Sequence, residues 1–560
     1  MRQGIKPDPR RAALAALFLL CCAAPVPARQ MGATAAKDAP ASVAGRVTRE
    51  EDNKSAPGVA VTLTASDPAT RFKVVARATT DAEGRYRLAN VPPGRYQLAP
   101  MAPAYVVKDS SWSGWPPGRP VTVAPGENME DVDFRLARGG VITGRVTDAD
   151  GKPIVAERVE ITPVDKQQVT GTNWFSGMRN LTDDRGVYRL YGLAAGRYHV
   201  SIGQDKDTGV VHIGGPNRYY RRTYHPAATD VAQAQVVEVK PGDEAKDVDI
   251  VAASAVKTFK AAGRIVSAET GQPVPDVMFA HGALRKGEKM IGGYGMTGVR
   301  TNARGEFTVE GLAPGHYAVF AISHEPADWY SDAVAFEVEE ADVSGLEVKL
   351  RRGASLGGVV LLEGVSDPAA RAQLLLQAQL YASAGSRDEL TAPNYLGGKI
   401  NPDGTFRFGG LRPGQYKIAL STWRAPQGLS LVRVEQNGVS VSGGIEVAEG
   451  AQVTGVRVHL AYGTSVVRGQ VTTAAGAPAP APPGARMTVH ARRVIGGHAE
   501  ATQARSTEVD VRGRFIIEGL SAGEYLIVLR VTAPGAEAID VRQTVTVSDG
   551  GETSVVLVLK

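Results

Sequence analysis

One sixteen-residue pattern occurs five times in this 560-residue chain, with the same internal spacing each time. It runs Asp or Asn, two residues, Gly, any residue, an aromatic, any residue, then an apolar residue. A Leu or Val follows, and the pattern ends on Gly-x-Tyr. The copies are Asp81 to Tyr96, Asp183 to Tyr198, Asn302 to Tyr317, Asn401 to Tyr416 and Asp510 to Tyr525. Fixed self-similarity of this kind marks a tandem array of one supersecondary unit. Each recurring position has a local physical reason. Asp or Asn at a turn corner accepts a hydrogen bond from the following backbone, and Gly three residues on supplies positive φ. The aromatic and the apolar residue two later share one face of a strand. Tyr86 with Leu88 and Phe515 with Ile517 therefore face a core. The closing tyrosines (Tyr96, Tyr198, Tyr317, Tyr416, Tyr525) open the next strand and read as structural, their hydroxyls bonding backbone.

The flanks recur as well. Upstream lies a strand marked by Gly45-Arg46-Val47, Gly144-Arg145-Val146, Gly263-Arg264-Ile265, Gly358-Val359-Val360 and Gly469-Gln470-Val471. Downstream lie a strand, a Gly-containing turn and a last strand, as in Val121 to Leu136. The marker glycines are 99, 119, 95 and 111 residues apart. About seven short strands in roughly 100 residues is the signature of a β-sandwich. The expected fold is all-β, with five tandem seven-stranded Greek-key sandwiches at 42–138, 139–256, 257–352, 353–462 and 463–560. Arg138-Gly139-Gly140 and Arg351-Arg352-Gly353 leave almost no linker, so neighbours should be tightly coupled. Arg371 to Ser383 is rich in helix formers. The repeat register nevertheless aligns it with the strand at Val59 to Ala65, and residues 372–382 are expected as strand.

Residues 1–28 read as an export signal. Arg2, Lys6, Arg10 and Arg11 precede an apolar run from Ala12 to Ala24, which is shorter than the ~20 residues a membrane span needs. Val26-Pro27-Ala28 places cleavage after Ala28, followed by a flexible segment at 29–41. Both cysteines, Cys21 and Cys22, fall inside the signal, so the mature chain holds none. Removing the signal lowers the formal net charge from +5 to +2. Charge that small and interspersed does not support a nucleic-acid partner. No later stretch is long and apolar enough for a transmembrane helix.

The order Gly-x-Val, Gly-x-Pro, Asp-x-x-Gly-x-Tyr/Phe, Leu-x-x-Gly-x-Tyr resembles the carboxypeptidase regulatory-like domains. Gly144-Arg145-Val146, Gly151-Lys152-Pro153 and Gly271-Gln272-Pro273 carry the upstream part, and copy four lacks the Gly-x-Pro turn. The resemblance covers about residues 42–560. It implies a transthyretin-like sandwich, also grouped with carbohydrate-binding-like folds. In that family such domains are accessory modules beside peptidases, in outer-membrane receptors and in exported bacterial proteins. Fold-level likeness leaves function to be argued from the site.

No histidine is followed by Glu three residues later, and His324-Glu325 leads to Asp328 rather than to a second His. Gly-x-Gly-x-x-Gly before a helix is missing. Asp148-Ala149-Asp150-Gly151 resembles a fragment of a calcium loop, but turn chemistry alone explains it. The expectation is a non-enzyme with no cofactor and no metal.

The remaining signal is aromatic residues outside the core pattern. Trp112 and Trp115 follow the Tyr96 strand. Tyr219, Tyr220 and Tyr224 occupy the same place in copy two, Trp329 and Tyr330 in copy three, and Trp423 in copy four. Trp174 sits in another loop of copy two. Loops at a sandwich end are where such folds bind ligands. Flat rings there suit stacking on a sugar or anchoring a peptide, and they equally suit covering the sandwich end or packing against the next domain. The expected function is an exported binding or scaffold protein taking a carbohydrate or peptide ligand. The alternatives are a structural or accessory module for a peptidase or an outer-membrane uptake system and, last, a hydrolase.

Overall fold

A computed structural model describes residues 39–66, 73–107, 118–165, 180–204, 219–284, 291–323, 327–384, 396–421, 426, 428–482, 485–495, 498–499, 505–533 and 536–559. The expected signal peptide lies outside them. The fold is all-β. In copy one the strands are β1 (Ala41–Arg49), β2 (Ala60–Ala65), β3 (Val74–Thr79), β4 (Arg85–Val91), β5 (Gly94–Met101), β6 (Tyr105–Val107), β7 (Arg119–Val123), β8 (Asn128–Met129) and β9 (Phe134–Arg138). One sheet has the order β4-β1-β9-β6 with β8 also on β1, and the other is β3-β2-β5-β7. The first and last strands, β1 and β9, run parallel. The same parallel pairing recurs in the other four copies. Buried side chains of both sheets merge into one main core per copy, with Tyr86, Leu88 and Tyr96 in the first.

The motif folds as its chemistry dictates. Asp183 Oδ1 accepts from the Val187 amide at 2.7 Å, and Gly186 has φ +75°. The closing tyrosines bond four residues back. Tyr96, Tyr198, Tyr317 and Tyr525 donate to the carbonyls of Pro92, Ala194, Ala313 and Ser521, while Tyr416 Oη accepts from the Arg412 amide. Asp148 Oδ1 accepts from the amides of Asp150 and Lys152, so the calcium-like fragment is an ordinary turn.

The marker glycine of the first strand has a cause the sequence did not disclose. In copies one to four the last strand bulges at Asp131, Asp247, Gly345 and Gly455, all with positive φ. The next carbonyl, of Val132, Val248, Leu346 or Val456, then points at the glycine. A Cβ at Gly45, Gly144, Gly263 or Gly358 would lie 2.2, 2.0, 2.1 or 1.9 Å from that oxygen. Where the motif aromatic is Tyr, its hydroxyl satisfies the bulged carbonyl. Tyr86 donates to Val132 and Tyr188 to Val248, each at 2.5 Å.

One expectation is corrected. Pro368–Gln377 is an α-helix, capped by Asp367, whose carboxylate accepts from the Ala370 amide, with Pro368 in the first turn. The strand starts only at Gln379, and Ala384 sits opposite Tyr416 as Ala65 sits opposite Tyr96. The expected strand over 372–382 is therefore helical through Gln377, and the sequence alignment of copy four was wrong there. The Asp-Pro cap and the run of helix formers won because the segment precedes the sheet instead of joining it.

His281, on strand Met278–Leu284, is a titratable group inside the third core. It is buried, its Nδ1 has no hydrogen-bond partner among the described residues, and burial pushes it down to about 4. The folded unit thus holds it neutral, while the unfolded chain takes a proton near 6.5. Stability from this residue is present above pH 6.5 and is lost as pH falls towards 4. Calorimetry between pH 7 and 4 should show a transition of copy three that drops in this window, and His281→Leu should flatten the drop. An unchanged pH profile in His281→Leu refutes the assignment.

Candidate functional site at the aromatic segments

The segments after the Gly-x-Tyr strand form a further strand (β6 in copy one) that pairs antiparallel with the end of the last strand. In copy one Tyr105 lies opposite Arg138, and in copy two Tyr219 opposite Val256. In copy three Trp329 lies opposite Arg352, and in copy four Leu429 opposite Tyr462. This further strand thus reaches the point where the chain passes into the next copy. There a linker glycine donates its amide to it. Gly139 bonds Ala104 O at 2.9 Å, Gly353 bonds Asp328 O at 2.8 Å and Gly463 bonds Gly428 O at 2.9 Å.

The acceptor surface on the following copy is the ninth step of its motif after the Asp or Asn. Asn90, Gly192, Gly311, Gly410 and Gly519 occupy it, all with positive φ. Each forms a bulge against the first strand of its own copy. Gly139 packs on Gly192 and Gly353 on Gly410, so closely that a Cβ on the linker residue would fall 2.4 or 2.3 Å from the other Cα. A Cβ on Gly410 would lie 2.5 Å from Trp329 O, and one on Gly519 2.5 Å from the Gly428 Cα. These seams join copies one to two, three to four and four to five. Among the described residues nothing lies within 4 Å of a Cβ placed on Gly311, so there the second-to-third junction does not show this interlock. This tenth motif position was visible in the sequence as Gly in four copies and Asn in one. It was overlooked because it belongs to neither the turn nor the core.

Trp329 is half-buried and packs on the third core. Tyr330 is buried, and the Arg412 guanidinium of the next copy sits 5.2 Å over its ring. Arg412 also pairs with Asp332 at 3.2 Å and donates to Ser331 O, while Arg407 pairs with Asp328 at 2.7 Å. In copy two Tyr220 is buried in its core, and Tyr224 is half-buried with its ring edge-on to His199. Tyr219 lies on the copy-two counterpart of β6. Trp112, Trp115, Trp174 and Trp423 lie outside the described residues. Trp329 and Tyr330 therefore meet at a seam, whereas nothing described brings the nine sequence candidates together on one surface. Among the described residues, no group of three or more His, Cys, Asp or Glu could hold a metal ion. No described helix is long and apolar enough to cross a membrane.

Residues 42–137 match the family model of the carboxypeptidase regulatory-like domain. That stretch is copy one, from the first strand through the last. No curated protein matches the chain. Among solved structures, a streptococcal ancillary pilin is 14% identical, with 56% of this chain and 99% of that one covered and a TM-score of 0.25. The TIE protein of Bacillus anthracis is 10% identical, covering 91% and 76%, with a TM-score of 0.16. A minor pilin of Streptococcus agalactiae is 13% identical, covering 38% and 96%, with a TM-score of 0.22. Similarities this low carry nothing about what the present chain does.

Proposed function

We propose that the chain is an exported, non-catalytic scaffold of five sandwich domains, at 42–138, 139–256, 257–352, 353–462 and 463–560. The observation that carries this reading is the seam. The segment that could have presented aromatic side chains is used to hold the next copy, through main-chain bonds and the Tyr330–Arg412 stack. Export rests on residues 1–28, with the mature chain beyond the inner membrane. The finer reading is a carbohydrate or peptide bound by Trp112, Trp115 and their counterparts in the other copies. The match of copy one to a regulatory-like domain favours a second reading, an accessory module for a peptidase or an uptake system.

A scaffold of this kind resists separation at its seams. Limited proteolysis of the mature chain should release no fragment cut at 462–464. Gly463→Val, whose side chain meets Leu520 O, should open that site. Cleavage there in the wild type would overturn the scaffold reading. Glycan and peptide arrays probed with the mature chain test the finer one. Retention that disappears in Trp112→Ala/Trp115→Ala supports it, and equal signals with and without the tryptophans remove it.

A further inference from the structure

The Asp or Asn that opens each motif is exposed in copies one to four and buried in copy five. What covers Asp510 is copy one. Arg514, held by Asp510 at 3.0 Å, donates to Glu127 at 2.8 Å and to Thr122 O at 2.7 Å. Val511 N donates to Pro120 O, and the Val511 side chain packs on the core of copy one. Arg512 donates to Glu130 O, Gln97 to Glu508 and Arg95 to Thr507. These bonds span about four hundred residues of chain and involve β5, β7 and the segment after β7. We propose that this contact is a clasp that closes the chain on itself, with the first sandwich docked intramolecularly on the motif turn of the last.

Three features make it a built interface and not a chance touch. The carboxylate of Asp510 is fully buried against the half-buried guanidinium of Arg514, and the pair is completed by Glu127 from the opposite copy. Burial alone raises Asp510, while the Arg514 charge beside it and the amides of Arg512 and Arg514 act against that rise. An apolar side chain, Val511, stands where the other turns carry Ala82, Asp184, Ala303 and Pro402. Finally, the contact is heterologous, one surface of copy one against a different surface of copy five. Such contacts either close into a ring or propagate as an open chain. Here both surfaces lie on one molecule, and the geometry closes.

The mature chain lacks cysteine, which makes a clean test possible. Gln97→Cys/Glu508→Cys treated with a short bismaleimide should cross-link within one molecule. The yield should be constant over about a hundredfold dilution, because intramolecular effective concentrations are on the order of mM. Adding Val511→Asp should cut the cross-linking rate about tenfold or more, since it sets an unpaired carboxylate against apolar side chains. Copy two already carries Asp184 at that turn position, so copy five should fold, and a retained calorimetric transition verifies it. X-ray scattering should show a larger radius of gyration in Val511→Asp. Cross-linking that yields only concentration-dependent dimers, or equal radii of gyration in both proteins, overturns the clasp.

Discussion

Gly144→Ala is expected to destabilise the second sandwich by about 3 kcal/mol or more, although it adds a single methyl group at a position with ordinary backbone angles. The methyl would lie 2.0 Å from Val248 O and 2.9 Å from the Tyr188 hydroxyl. Neither neighbour can yield cheaply. The carbonyl belongs to a bulge fixed by the positive φ of Asp247, and the hydroxyl is its hydrogen-bond donor. Moving either strands a buried polar group, so overpacking and a lost hydrogen bond fall on the same substitution. Tyr188→Phe separates the two effects. It leaves Val248 O without its donor and should cost only about 1–2 kcal/mol. Hydrogen exchange localises both losses to copy two. Protection in Gly144→Ala equal to that in Tyr188→Phe would show that the strand relaxes and that the close approach is not what keeps glycine there.

Tyr198→Ala is the second large effect, at about 3–5 kcal/mol, from the cavity left in a core where Tyr198 is 1% exposed. Its hydroxyl donates to Ala194 O at 2.7 Å, and burial pushes the phenol up to about 12. Tyr198→Phe keeps the ring and loses that bond, for about 1 kcal/mol. The contrast checks whether this tyrosine is a core side chain with a polar tether. A Phe variant as unstable as the Ala variant would mean that the tether, not the ring, dominates. Denaturant unfolding followed by exchange in copy two measures both.

The parts of the fold that could be read in advance are those where chemistry is local. Asp183, Gly186, Tyr188 and Tyr198 each answer to a turn, a strand face or a nearby carbonyl, and their spacing carried the architecture. Three things escaped. The helix at Pro368–Gln377 announced itself through Asp367-Pro368 and its helix formers, but a strand was inferred by analogy with the other copies. Gly144 was seen to recur, yet its reason lies about a hundred residues away at Val248. The seam positions Gly192, Gly410 and Gly519 act on a neighbouring copy, and so their role appears only once two copies are placed together. At the candidate site, composition pointed to the right segment of Trp329 and Tyr330. It could not tell a ring that faces solvent from one covered by Arg412 of the next copy.

The parallel pairing of first and last strands has a mechanical consequence. Because β1 and β9 are adjacent and parallel, the chain enters a sandwich at one end of this pair and leaves from the other. Tension applied along the array would load the inter-strand hydrogen bonds side by side, in shear, instead of opening them one after another. In copy five the corresponding pair, Ser465–Thr473 with Glu552–Leu559, is in register over eight consecutive residues without interruption. In copies one to four the pair is broken at the bulge, by the left-handed residue just before the carbonyl that faces the marker glycine. The array would therefore yield under load first in its bulged members and last in its fifth.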